Sequence, residues 1–280
     1  MPIRDVFLPL VGEPSEPALA ALEKCVAVAA ELGAKITALA VEEDILLRPK
    51  VVISADVDNA AEAEAVRSTS EARSLLNAFN NTASRTGVRI DSRSRKLAAN
   101  LIATTVAECA RLSDITLIPV RSHDSRSENL VEMLLFESGR PLLLCPVERA
   151  SELRPEFGNV MIAWDHSARA ARAVGDAMPI LQAATSVWVI TATDERSEVI
   201  MQSGTGLIDH LREHGVSASF ETVGINGSSI GKVLAVWARS HAVDVMVMGA
   251  YRHSRLNEIV WGGVTKTVIG EPPCWVMMSH

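Results

Sequence analysis

An internal repeat constrains the fold of this chain more than any other feature. Each half opens with an apolar run, an amphipathic stretch of helical length and a second apolar run, and each half closes with a helix-like stretch and two further apolar runs. The matching segments are 6–10 with 160–164, 16–32 with 168–181, 36–41 with 187–191, 101–112 with 230–240, 114–119 with 244–249, and 141–145 with 273–277. The repeat predicts two tandem copies of one domain, residues 1–147 and 157–280, joined by a polar linker around 147–158.

The predicted strands are continuous apolar runs that alternate with helices. Strands of this kind are buried on both faces, and the alternation is typical of a parallel sheet with helices on either side. We therefore predict an α/β fold with two doubly wound, five-stranded, mainly parallel sheets, one in each half. Two separate sheets are expected rather than a single continuous one. Residues 43–85 add a long connection and a polar, alanine-rich helix to the first half.

Composition excludes several classes of partner. The chain is 48% hydrophobic and 22% charged, which is typical of a globular protein, and its net charge is −7. A net negative charge does not favour binding to nucleic acid or to an anionic membrane. No apolar run approaches the roughly 20 residues that a membrane helix needs, and the start of the chain has no signal-peptide pattern, so a cytoplasmic location is expected. The four scattered cysteines are expected to be buried and reduced.

The two halves differ in where a small-molecule site is expected. All five tryptophans and most of the glycines lie in the second half. There, a predicted strand ends at Gly249, and Gly262 and Gly263 begin the last helix. Backbone N–H groups at the start of a helix bind phosphate oxygens, and glycine lets the phosphate approach closely. The same glycines are also explained by tight turns that need no ligand.

Residues 249–265 resemble the signature of the universal stress protein family, which runs Gly, two residues, Gly, nine residues, Gly, then Ser or Thr. In that family the segment holds the phosphates and ribose of ATP, and an Asp after the first strand completes the site. Asp165 stands at that position. The resemblance implies ATP as the ligand, an adenine-nucleotide alpha hydrolase-like fold, and a pseudo-dimer of domains paired through the closing strands, with a homodimer also open. The implied binding residues are Ala163, Asp165, Gly249, Arg252, His253, Gly262, Gly263, Val264 and Thr265.

The chain departs from this signature at several positions. Arg252 replaces the second glycine, and Gly263 replaces the Ser or Thr, while Thr265 offers a hydroxyl two residues later. Arg252 either donates to a phosphate or fills the space that a phosphate needs. Without a ligand, Asp165 is explained as an Asx-turn or helix cap, and His253 as a solvated loop residue. In the first half Val11 occupies the Asp position and the glycine loop is missing, so no nucleotide is expected there.

No catalytic or metal-binding set accompanies the phosphate motif. His210 and His214 share a helix face, but the sequence shows no third metal ligand. The chain is therefore expected to bind ATP in its second half and to act by conformational or partner signalling rather than as an enzyme. Two alternatives remain open. One is a ligand-free structural pseudo-dimer. The other is an ATP-hydrolysing enzyme, although residues 165–167 lack the glycine-rich loop that an ATP pyrophosphatase needs after its first strand.

Overall fold

A computed structural model of the chain describes residues 2–44, 55–195, 197–250 and 263–280, with side chains from residue 62 onwards in the second of these ranges. The strands are β1 Asp5–Leu10, β2 Lys35–Glu43, β3 Ile90–Leu97, β4 Ile115–Val120, β5 Leu142–Pro146, β6 Asn159–Ala163, β7 Ser186–Ala192, β8 Ala218–Val223, β9 Val245–Gly249 and β10 Trp275–Ser279. The helices are α1 Glu16–Glu31, α2 Ala55–Thr86, α3 Ala99–Ala110, α4 Ser125–Glu137, α5 Ala168–Ala183, α6 Glu198–Glu213, α7 Ile230–Ser240 and α8 Gly263–Gly270, with a 3-10 helix at Val147–Glu152.

The strands form one ten-stranded sheet in the order β3-β2-β1-β4-β5-β10-β9-β6-β7-β8. The predicted α/β class is confirmed, and the two halves share the same internal strand order. The expectation of two separate sheets is wrong, because the closing strands β5 and β10 pair antiparallel, with Leu143 opposite Met277. The pairing between domains that the sequence suggested therefore makes one sheet out of two.

Equivalent residues in the two halves make equivalent contacts. The carboxylate of Asp114 accepts the backbone N–H of Asp5 at 3.0 Å, and that of Asp244 accepts the N–H of Asn159 at 2.7 Å. Each pair ties the start of the first strand of its half to the start of the fourth. These contacts align Val6 with Val160 and Ile115 with Val245, so the two halves can be compared residue by residue.

The hydrophobic core forms a layer on each face of the sheet. Leu8 and Ile162 belong to one layer, and Phe7 and Met161 belong to the other. Each layer therefore contains residues from both halves of the chain, which is possible only because the sheet is continuous. The inner strands are buried on both faces, as their unbroken apolar runs predicted.

Helix boundaries follow the capping chemistry. Ser167 is the N-cap of α5, since its hydroxyl accepts the N–H of Ala170 at 3.1 Å. The helix predicted at 101–112 instead spans Ala99–Ala110, and Leu112 beyond its end is 82% exposed. Because Leu112 is apolar, the sequence pattern placed the end of this helix too late.

The extra residues of the first half build a long α2. This helix has 32 residues, whereas its counterpart α6 has 16. Ala72, Leu75 and Phe79 are buried in the core layer beside Leu22 of α1. The helix is thus part of the packed domain. In the described part of the chain, no helix combines the length and apolarity that crossing a membrane requires.

Candidate functional site

The candidate site lies where β6 and β9 end side by side. Ala163, the last residue of β6, pairs with Met248, which precedes Gly249 at the end of β9. From β6 the chain proceeds to β7 on one side, and from β9 it proceeds to β10 on the other. A crevice at such a switch point is where open α/β sheets bind their ligands.

Asp165 follows β6 and is exposed at this crevice. Its Oδ1 accepts the backbone N–H of Ser167 at 3.0 Å, which is the Asx-turn that the sequence left open. The turn positions Ser167 as the N-cap of α5. One carboxylate oxygen is therefore used to build the turn, while the side chain as a whole remains open to solvent.

His166 is a feature of this crevice that sequence reasoning missed. Its backbone has a φ of 63°, in the left-handed region that a side chain rarely occupies. Its ring stacks on Trp164 with centroids 6.1 Å apart, and its Nε2 is buried without a hydrogen-bond partner among the described residues. The available signal was Gly12, the equivalent residue of the first half, which also has a positive φ, of 103°.

Gly249 is required by packing at the end of β9. A Cβ at this position would lie 2.5 Å from the backbone nitrogen of Ala170 and 2.7 Å from the carbonyl carbon of Arg169. The first turn of α5 therefore rests directly on the glycine. Neither a tight turn nor a phosphate contact accounts for this observation, and a ligand role for Gly249 stays a prediction.

The remaining predicted residues lie between 252 and 265, of which the structure describes only the start of α8. Gly263 is exposed, Val264 is half-buried, and Thr265 is buried with 3% exposure. The helix packs on α7 at Gly231, where a Cβ would lie 2.8 Å from the Cβ of Thr267. Arg252, His253 and Gly262 lie outside the described residues. Within the described ranges, no group of three or more His, Cys, Asp or Glu side chains is arranged to hold a metal ion.

The corresponding place in the first half has different chemistry. Val11 is equivalent to Asp165 and is 44% exposed. At the start of α4, which corresponds to α8, the Oδ2 of Asp124 accepts the N–H of Ser127 at 3.0 Å and its hydroxyl at 2.7 Å. Burial acts to raise the pKa of Asp124, but the hydrogen bonds from Ser127 and Arg126 and the charge of Arg126 together outweigh it, and the pKa lies below its ordinary value. A carboxylate thus occupies the start of this helix.

Comparison with known proteins decides the family of the second half. The sequence model of the universal stress protein family matches residues 156–280. This half of the chain belongs to the universal stress protein family. The match includes β6, β9 and α8, so the whole candidate site lies inside the universal stress protein domain. No curated protein gives a significant match to the chain.

Solved structures extend the likeness of fold to the full length. A universal stress protein from Archaeoglobus fulgidus is similar with a TM-score of 0.68 at 14% identity, covering 98% of this chain and 95% of that one. A protein of unknown function from Pseudomonas aeruginosa PAO1 gives a TM-score of 0.55 at 13% identity, covering 99% of this chain and 92% of that one. At such identities the likeness shows a shared fold, which here includes the first half outside the family match.

Proposed function

We propose that this chain binds an adenine nucleotide, ATP, in its universal stress protein domain. Binding would change the conformation that the chain presents to partners. The observation that carries the proposal is the exposed carboxylate of Asp165 at the β6–β9 switch point. It follows the first strand of a domain whose family signature is partly retained in residues 249–265.

The chemistry of the crevice suits the two ends of a nucleotide. A carboxylate accepts hydrogen bonds from ribose hydroxyls, as an Asp or Glu does in dinucleotide-binding α/β folds. Phosphate oxygens suit the start of a helix, where backbone N–H groups and the helix dipole favour negative charge. Gly263 is exposed there, and no atom of the described residues lies within 4 Å of its Cβ position, so these residues leave its backbone open to approach. The proposed contacts are Ala163, Asp165, Gly249, Arg252, His253, Gly262, Gly263, Val264 and Thr265.

Binding rather than turnover is proposed because the sequence supplies no base or nucleophile beside the phosphate motif. Residues 165–167 carry Asp, His and Ser where a pyrophosphatase would need a glycine-rich loop. The ligand-free alternative is tested by the same experiment as the proposal.

Calorimetric titration of the full chain with ATP tests the role of Asp165. Asp165→Ala removes the proposed ribose acceptor and should weaken binding about tenfold or more, since a charge-assisted hydrogen bond contributes about 1.5–3 kcal/mol. Asp165→Asn keeps an acceptor for the Asx-turn and separates loss of charge from loss of the turn. Val11→Ala, at the equivalent position of the first half, should leave binding unchanged. Absence of ATP binding by the wild-type chain, or equal binding by Asp165→Ala, would refute the proposal.

Arg252 distinguishes a working site from a blocked one. If its guanidinium donates to the phosphates, Arg252→Ala should weaken ATP binding about tenfold, with a loss that shrinks as salt rises. If its bulk fills the phosphate space, Arg252→Gly should instead improve binding by restoring the backbone approach. We expect the first result. Unchanged affinity in both variants would show that residues 249–265 do not hold phosphate.

A further inference from the structure

A cavity of about 580 Å³ lies in the first half of the chain, at the carboxyl ends of β1, β2 and β4. Leu10, Val41 and Ile118 from these strands form its floor. Helices α1 and α2 close one side, and α3 and α4 close the other. The volume is within the range of about 300–1,000 Å³ that small-molecule sites occupy.

The cavity has a physical cause in the difference between the two halves. In the second half, α5 rests on the end of β9, with Ala170 against Gly249. The equivalent residues of the first half are Ala18 and Pro119, and both line the cavity. A pyrrolidine ring cannot take the place of a glycine that has a helix backbone 2.5 Å from its Cβ position. In register with the strands, α1 also begins two residues later in its repeat than α5 does.

The inner walls of the cavity are apolar. Leu22 of α1 is 1% exposed, and Ala72 and Leu75 of α2 are 2% and 5% exposed. Ile102 and Ala103 of α3 close the opposite wall and are half-buried. The extended α2 deepens this cavity, because it covers the side next to β2.

The charged groups of the lining disfavour an anionic ligand. Arg67 is paired with Glu64 at 3.6 Å and Glu71 at 3.7 Å, and the guanidinium of Arg121 donates to the hydroxyl of Ser15 at 2.6 Å. The start of α4, where a phosphate would bind, is taken by a carboxylate. Among the described residues, five carboxylates and three guanidiniums line the cavity: Glu13, Glu43, Glu64, Glu71 and Asp124 against Arg67, Arg121 and Arg126. A phosphate or carboxylate ligand would meet this negative excess.

We propose that the first half binds an uncharged, mainly apolar small molecule in this cavity. The inference is independent of nucleotide binding in the second half. It gives the long α2 a function and assigns the two halves ligands of different chemistry. Burying the apolar body of the ligand against Leu22, Leu75 and Ile102 would supply the affinity.

The uncharged dye N-phenylnaphthylamine, which fluoresces in apolar surroundings, tests the site in the full chain. Wild-type protein should show saturable binding of one dye per chain, and excess ATP should not displace it. Ala103→Trp fills the cavity and should weaken binding at least about tenfold, as lost apolar contacts would. Thr104→Trp places the same side chain on the exposed face of α3, outside the cavity, and should bind as wild type does.

A second variant keeps the test decisive if Ala103→Trp fails to fold. Val11→Asp introduces the second-half residue at an exposed position of the lining, and the added carboxylate should weaken dye binding several-fold without loss of helical signal in circular dichroism. Non-saturable binding, displacement by ATP, or equal weakening by Thr104→Trp would each overturn the proposal. Because the two sites are independent, Asp165→Ala should bind the dye as wild type does even where it has lost ATP binding, and weakened dye binding by this variant would count against the proposal.

Discussion

At the scale of single residues, two glycines of one signature have different physical roles. Gly249 has the backbone of Ala170 and Arg169 within 3 Å of its Cβ position, whereas no atom of the described residues lies within 4 Å of that of Gly263. In the part of the chain that the structure describes, neither glycine has a positive φ, so an alanine is conformationally allowed at both. The sequence pattern treats these glycines alike, but only the first is required by packing.

Gly249→Ala should therefore destabilise the protein by about 1–3 kcal/mol, because a methyl group would push α5 away from β9. Gly263→Ala, the matched control, should change the free energy of unfolding by no more than about 0.5 kcal/mol. Urea unfolding of the three proteins measures both effects. Equal stability of the two variants would show that the contact between β9 and α5 is not tight.

The cysteines are a second set of residues with unequal surroundings. Burial raises the pKa of Cys274 to about 12 and raises that of Cys145 well above its usual range. Cys25 is also buried, whereas Cys109 is half-buried. Because the thiolate is the reactive form, iodoacetamide should label Cys109 first in the folded protein, and the other three only after unfolding. Mass spectrometry of the labelled peptides measures the order. Labelling of Cys274 as fast as Cys109 would contradict it.

At the scale of helices and strands, the sequence predicted which elements exist better than the residues at which they begin and end. Continuous apolar runs predicted the four inner strands of each half, because burial on both faces of a sheet leaves an unambiguous sequence pattern. The edge strands β3 and β8 lack such a run, since polar residues interrupt both of them. The N-cap Ser167 stands directly before the stretch 168–181 that was matched as a helix, and capping is a local interaction that a sequence can show. The helix predicted at 101–112 was displaced because Leu112 is apolar but 82% exposed.

The parts that could not be predicted depend on packing between distant segments. Val11 indicated a changed site in the first half, but a hydrophobic residue at one position does not predict a cavity. The cavity is lined by Pro119 and Ala18, which are far apart in the chain, and by residues of a long α2. Likewise, the contact of Gly249 with Ala170 joins residues that are far apart in the chain. Local sequence patterns carry no information on such distances.

The cap of α4 gives a pH-dependent prediction at this scale. Asp124→Ala should cost about 1 kcal/mol at neutral pH, the usual effect of removing an N-cap. The pKa of Asp124 is lowered in the folded state from its ordinary 3.8, so its stabilising effect is complete above that value and lost as the pH falls through the folded pKa. Urea unfolding at successively lower pH should show the difference between wild type and variant shrinking below pH 3.8. A difference that persists undiminished in acid would show that the charge of Asp124 is not involved.

At the scale of the whole molecule, the two halves form one structural unit. The β5–β10 pairing is reinforced by the N–H of His123, which donates to the carbonyl of Gly270 at 2.8 Å, and by an edge-to-face contact of Phe136 with His280 at 4.5 Å. The closing strands are used within the chain, so a homodimer would need another surface. The edge strands of the sheet are β3 and β8, and both are largely polar and exposed.

A continuous sheet with core layers shared by both halves should unfold in a single cooperative transition, and the distribution of tryptophan makes this testable. All five tryptophans lie in the second half, so their fluorescence reports that half alone, whereas circular dichroism reports both. Leu8→Ala removes a fully buried side chain from β1 in the first half and should destabilise by about 2–5 kcal/mol. If the halves are coupled, the fluorescence midpoint in urea should fall as far as the dichroism midpoint.

Ile162→Ala, the matched change in β6 of the second half, should also shift both signals together. A Leu8→Ala protein whose tryptophan transition stays at the wild-type midpoint would show that the halves unfold independently. In that case the antiparallel pairing of Leu143 with Met277 would join two domains without coupling their stabilities. We expect the two halves to unfold together, because Leu8 and Ile162 lie in the same core layer. Separating β5 from β10 would also expose strands that are buried on both faces.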